Sequence, residues 1–265
     1  MHQSKVTIVN GMQRGGTNIV WNLLQSHPEI VSPGRETGEL IYPAWTNKRP
    51  MRLFRKPLRW LLRLGFRPLF RHVDRVLYRC KMDTLLDPDN RYKNENDLYT
   101  HPEVEAAMLS AKSVADDVFF TPALAAHFPE SHVISVVRNG LATCEGWVRR
   151  GVSPQKAAKH HKKTMDEVLR QDAQLSNHMI VRFEDCLEDP MGLAVKMCRF
   201  ANLDPDKLKK LRIKAKSIIQ QDGSHRASFA QAGQKVWLAP EDAKKFFDPS
   251  ITQRQIDALS WGIGK

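Results

Sequence analysis

A short β-branched run, Val6–Val9, leads through Asn10-Gly11 into a glycine loop, after which Ile19, Val20, Leu23 and Leu24 recur at helical spacing. This order of strand, glycine loop and helix constrains the fold more than any other stretch. The strand is apolar on both faces and has to be covered, and the helix that follows it at once can do so, which opens an α/β domain. The helix is expected to stop before His27-Pro28, because proline disfavours helical geometry in the residue ahead of it. Val133–Val137 and Met179–Val181 read as further buried strands, followed by helical patterns over Leu141–Arg150 and Gly192–Ala201. Ser113–Ala115 is a weaker strand, Lys156–Leu175 a long polar helix, and Pro205–Ile219 and Thr252–Leu259 read as two more helices. The alternation predicts one α/β domain over residues 1–265, a P-loop-like parallel β-sheet flanked by helices.

Two stretches interrupt that pattern. Residues 46–82 hold twelve Lys or Arg against one acid, Asp74, and so carry +11 of the chain's +12. Arg55, Arg59, Arg63, Arg67, Arg71, Arg75 and Arg79 fall every fourth residue, with Leu58, Leu61, Leu62, Phe66, Leu69 and Phe70 between them. Pro57, Gly65 and Pro68 predict two short amphipathic helices rather than one straight one. Such a surface suits an anionic polymer or a membrane with anionic headgroups, beside the plainer reading of a solvated flap packed on the domain. Residues 83–102 are polar and turn-rich and read as an exposed loop, and Gln220–Gly233 as another. With 42% hydrophobic residues the chain can bury a core. It shows neither a signal-peptide pattern nor an apolar run of about 18 residues. Cys80, Cys144, Cys186 and Cys198 lack CxxC spacing and are expected to be reduced thiols, in keeping with the cytoplasm, at most peripheral to a membrane.

The loop Gly11-Met12-Gln13-Arg14-Gly15-Gly16-Thr17-Asn18 has the frame of a phosphate loop. Its amides and the following helix N-terminus favour an anion. The Walker pattern needs Lys and Ser/Thr after the second glycine, and here those places are Thr17 and Asn18. The loop cation is Arg14 instead. A P-loop kinase or other nucleotide-binding protein, or a non-catalytic basic module for polyanions, are the alternatives weighed against an enzyme of another kind.

That other kind is indicated by three blocks in order. Arg14-Gly15-Gly16-Thr17-Asn18, a helix and His27-Pro28 resemble the 5′-phosphosulfate loop of the sulfotransferases that use 3′-phosphoadenosine 5′-phosphosulfate (PAPS). Phe128-Pro129 followed by His132 to Gly140 is similar to that family's 3′-phosphate strand, which ends in Arg-Asp or Arg-Asn. Val181-Arg182-Phe183-Glu184-Asp185 with Asp189-Pro190 resembles its Arg-Tyr-Glu-Asp strand exit. The wording is closest to the protein-tyrosine and carbohydrate branches, since Arg35-Glu36-Thr37 follows the His-Pro helix.

The resemblance implies PAPS as donor, no metal, and a hydroxyl acceptor: a glycan, a tyrosine, a lipid or a metabolite. Nucleic acid is not expected as a specific partner. It implies Glu36 as general base, with Glu39 as a competing carboxylate. Lys112, placed just before the weak strand, and Arg14 would stabilise the leaving oxygen. Gly15, Gly16, Thr17 and Asn18 would line the donor loop, and Arg138 would hold the 3′-phosphate. Gly146 stands where the family has a phosphate-binding serine, so a backbone N–H, Thr143 or Arg149/Arg150 would have to substitute. Phe183 replaces a tyrosine, and Lys235, ahead of Trp237, is the phosphate contact assigned near the C-terminus. His160-His161, in a Lys-rich helix, is expected at the surface rather than on a metal.

Overall fold

A computed structural model describes residues 5–32, 36–42, 46, 50–214, 235–247 and 249–263. Five parallel strands form the main sheet: β1 (Lys5–Gly11), β2 (Ile30–Val31), β3 (Met108–Val114), β4 (Glu130–Val137) and β5 (His178–Arg182), in the order β2-β3-β1-β4-β5. β1 is therefore central, and the chain goes to one side of it for β3 and to the other for β4. In open parallel sheets the crevice at the carboxyl ends of such strands is the usual ligand position.

Twelve helices are described. In chain order they are α1 (Thr17–Leu24), α2 (Thr37–Leu40), α3 (Arg55–Arg63), α4 (Arg67–Met82), α5 (His101–Ala106) and α6 (Thr121–His127). They continue with α7 (Gly140–Val148), α8 (Pro154–Gln174), α9 (Phe183–Glu188), α10 (Pro190–Phe200), α11 (Pro240–Phe246) and α12 (Ile251–Ile263). One core, with Val9, Leu23, Ile134 and Met197, lies between the sheet and the α1 and α10 side. A second, with Ile8, Leu109, Phe70 and Phe128, fills the other face, where α3, α4 and α6 pack.

Three local readings are revised. Pro205–Ile219 was expected to be helical, but Pro205–Lys207 is a 3-10 turn and Leu211–Lys214 is a strand, β6, antiparallel to β7 (Lys235–Leu238). The third sheet strand covers Met108–Val114, so Lys112 lies inside it and not ahead of it, and the backbone turns at Ala115 (φ 57°). His160 and His161 are half-buried: His160 packs on Trp147 with ring centroids 4.9 Å apart, and His161 lies against Gly140. The residue range 220–233 lies outside the described residues.

The basic segment is helical where it is described. A 3-10 turn, Met51–Phe54, leads into α3, and α3 and α4 are separated by Gly65 at φ 72°. Leu62, Leu69, Phe70, Val73 and Leu77 are buried in the second core, so each helix is anchored by one apolar face.

Candidate active site

The loop after β1 is shaped by three backbone constraints. Gly11 sits at φ 147°, where a Cβ would lie 2.6 Å from the Val136 carbonyl oxygen of the neighbouring strand. The Gly15 amide donates to the Met12 carbonyl at 3.0 Å, and Arg14 adopts φ 72°. Gly16, at φ 84°, is the N-cap of α1 and brings no side chain to its first-turn amides. That leaves a helix N-terminus open towards the crevice, the arrangement that favours an anion. Two contacts hold the loop from behind: the Trp147 indole donates to the Gln13 carbonyl at 2.9 Å, and the Arg138 guanidinium to the Arg14 carbonyl at 3.3 Å. His160, packed on Trp147, supports the first of them.

On the β3 side, Glu36 rejoins the sheet as an isolated parallel bridge to Lys112. Residues paired across a sheet share a face. The Lys112 ammonium accordingly lies 2.8 Å from a Glu36 carboxylate oxygen, donates to Asn18 Oδ1, and stands over the Trp21 ring at 5.1 Å. Trp21 is fixed in turn by its indole N–H to Ser110 Oγ at 2.9 Å, two residues before Lys112 on the same face of β3. The lysine side chain is only 4% exposed and the glutamate 35%. Asn18 stands at the position where a Walker loop offers a magnesium-binding hydroxyl, and here it accepts from an ammonium group.

On the β4 side, Arg138 follows the strand and lies over the Phe183 ring at 4.4 Å. It donates to Thr252 Oγ1 at 3.4 Å and to Gln255 Oε1, both on α12. Burial lowers the proton affinity of its guanidinium, opposed by Glu184 and Glu145. Asn139 caps α7 by accepting from the amides of Leu141 and Ala142. Gly146, two turns beyond that cap in α7, faces Arg14: a Cβ there would be 3.1 Å from the Arg14 Cβ. The space of the family serine is thus occupied by the stem of the loop arginine.

Beside Glu36 lies a wall that the sequence did not single out. Asp117 accepts from Thr37 Oγ1 at 3.4 Å and from the Tyr42 hydroxyl at 3.5 Å. Its carboxyl is pushed up to about 6 by burial, against the pull of Arg59. Arg59, from α3, donates to Asp116 at 2.6 Å and to Tyr42 Oη at 3.2 Å. Burial and Asp117 push the Tyr42 phenol up to about 12. An acidic pair, Asp116-Asp117, just after the lysine-bearing strand was the available signal.

The structure therefore places Arg14, Gly15, Gly16, Thr17, Asn18, Glu36, Lys112, Arg138 and Gly146 together at the carboxyl edge of β1, β3 and β4. Lys235 begins β7, opposite Lys214, and its side chain lies outside the described residues, as does that of Glu39. His27 of the His-Pro element has a structural role. Its Nε2 donates to the Asp204 carbonyl at 2.8 Å while Nδ1 accepts from the Glu29 amide, and burial lowers its pKa. A cleft of about 650 Å³ at the opposite edge of the sheet, near Lys5, Met108 and Glu130, has two of its lysines tied up: Lys207 with Glu29 and Lys93 with Glu103.

A family model described as the sulfotransferase family matches residues 7–207. The chain belongs to the sulfotransferase family. The matched span contains the loop, Glu36, Lys112, Arg138 and the Phe183 turn. Comparison with curated proteins finds no significant match. The fold is similar to the sulfotransferase domain from the curacin biosynthetic pathway, at 15% identity and a TM-score of 0.51, covering 99% of this chain and 98% of that one. It is also similar to the sulfotransferase domain of the Synechococcus PCC 7002 olefin synthase, at 16% identity and a TM-score of 0.49, covering 99% and 95%. A sulfotransferase from Alicyclobacillus acidocaldarius matches at 14% identity and a TM-score of 0.45, covering 76% and 81%. At 15% identity the likeness to the curacin-pathway domain concerns the fold.

Proposed function

We propose that this sulfotransferase moves a sulfuryl group from PAPS to a hydroxyl acceptor by in-line transfer. The observation that carries the reading is the cluster of Glu36, Lys112 and Asn18 next to an open helix N-terminus. The loop amides and Arg14 bind the 5′-phosphosulfate, and Arg138, stacked on Phe183, takes the 3′-phosphate. Glu36 removes the acceptor's proton as its oxygen forms a bond to sulfur. The bond from sulfur to the bridging oxygen breaks, and its electron pair stays on the 5′-phosphate of the departing 3′,5′-adenosine bisphosphate. Lys112 and Arg14 stabilise the negative charge there. Before the donor arrives, Lys112 holds Glu36 and Asn18. A sulfonate in the loop would share the ammonium and release the carboxylate toward the acceptor side, where Thr37, Tyr42 and Asp117 form the wall.

A Mg²⁺-nucleotide reading is less well supported, because Asn18 already serves a lysine. A reducing compartment suits the four free cysteines, three of them buried.

The test is transfer of labelled sulfate from PAPS to a panel of hydroxyl acceptors, with mass detection of the product. Glu36→Gln should lower turnover by about 10²–10⁴ while adenosine bisphosphate binds nearly as before. Undiminished turnover in that variant, with a loss in Glu39→Gln, would give the base role to Glu39.

A further inference from the structure

We propose that the outer face of residues 51–67 is a docking surface for an anionic lipid bilayer. The apolar arc of α3 is wider than the face it packs on the domain. Leu58, Leu61 and Leu62 face the second core and account for its attachment to the domain. Beside that face, and continuing the same arc outward, Pro57, Trp60 and Leu64 fall at i, i+3 and i+7, with Leu53 one turn earlier, and form an outer stripe. Leu53, Leu64 and Trp60 are 72%, 61% and 59% exposed, and Phe54 and Phe66 are exposed beside them. Packing on the domain accounts for the inner part of the arc and leaves the outer stripe exposed. Lys56, Arg63, Arg67 and Arg71 stand exposed around that stripe, and the one acid of residues 46–82, Asp74, is buried.

Two other occupants fit less well. A second copy of the chain would bring +11 against +11. A polyanion would use the charges and leave the apolar stripe in water. A bilayer with anionic headgroups takes both: Leu53, Trp60 and Leu64 enter the boundary with the acyl chains, while the Lys and Arg stems lie along it and their charges meet headgroups. The surface also has a position that matters to the enzyme. Arg59 of the same helix holds Tyr42 and Asp116, the wall beside Glu36. An acceptor carried at the membrane surface would thus reach the site without leaving it.

The experiment is co-sedimentation of the full chain with phosphatidylcholine vesicles, with and without phosphatidylglycerol, over a salt series and with heparin as competitor. It reads binding only, so it stands apart from any result on sulfate transfer. Binding is expected on the mixed vesicles, to weaken with salt, and to be slight on phosphatidylcholine alone. Leu53→Ser/Trp60→Ser/Leu64→Ser and Lys56→Gln/Arg67→Gln/Arg71→Gln should each lower it by more than about tenfold. All six positions are exposed or lie in the turn, so thermal unfolding should match wild type. Absence of binding to mixed vesicles overturns the proposal, with no variant needed. If the serine variant binds as wild type does and heparin displaces both, the surface serves a polyanion. If wild type dimerises in sedimentation velocity and the serine variant does not, the stripe is a self-association face.

Discussion

The Phe183 ring occupies the place where a side chain on Gly16 would begin, so that a Cβ there would lie well inside van der Waals contact with the ring. The same ring lies beneath the Arg138 guanidinium at 4.4 Å. One aromatic side chain thus braces both the glycine loop and the arginine that contacts it. Gly16→Ala should therefore cost stability twice, through the φ of 84° and through the collision, by about 2–4 kcal/mol in all. Adding Phe183→Leu should restore part of the loss in urea unfolding. A Gly16→Ala protein as stable as wild type would show that the ring is not in that place.

Lys112→Met keeps the apolar stem over Trp21 and removes the charge. Turnover should fall by about 10²–10³, the usual effect of losing one stabilising donor, with a smaller loss in donor affinity. Lys112→Arg should not rescue it, since a planar fork cannot replace a buried point charge that meets Glu36 and Asn18 together. Full activity in the arginine variant would sink the assignment.

The fold was largely readable where structure is local. β1, the glycine loop and α1 are contiguous, and the apolar pattern of β4 and β5 marks buried strands. β3 was harder, because Met108–Val114 carries two serines and a lysine yet is buried throughout. Those polar groups are satisfied by distant partners, Ser110 by Trp21, Lys112 by Glu36 and Asn18, and Ser113 by Thr37. β6 was misread as helix because its pairing partner, β7, lies beyond residues 215–234, and spacing within the segment alone does not reveal it. The roles proposed for Glu36, Lys112 and Arg138 come from resemblance, not pattern. Asp117 and Tyr42 were not found, because their significance depends on Arg59 arriving from the basic segment.

Gly146→Ser would supply the hydroxyl the family has at this position. Here its Cβ would press on the Arg14 stem, at 3.1–3.2 Å. Calorimetry should show adenosine bisphosphate binding weakened by about 1 kcal/mol, because the loop must shift to admit the added atom. Tighter binding would mean that Arg14 moves aside freely and that the serine reaches the phosphate.

Asp117 should make stability depend on pH. Its carboxyl titrates near 6 in the folded chain against 3.8 ordinarily, so the folded state holds a proton that the unfolded chain has lost. The stability this group contributes is present below about pH 4 and is lost as pH rises through about 6. Asp117→Asn removes that loss. Between pH 4 and 7 the unfolding free energy of the variant should gain on wild type by up to about 3 kcal/mol. Parallel curves for the two proteins would place the titration elsewhere.

The reach of α12 across to Arg138 has a practical side. Thr252 and Gln255 lend their oxygens to the arginine proposed for the donor, and Gln255 also donates to Glu145 of α7 at 3.1 Å. The last helix is therefore part of the crevice rather than an appendage behind it. A handle or a truncation that disturbs α12 would loosen Arg138 and, through Ile251 and Leu259, part of the packing as well, and a weak preparation of that kind would be mistaken for an enzyme offered the wrong acceptor.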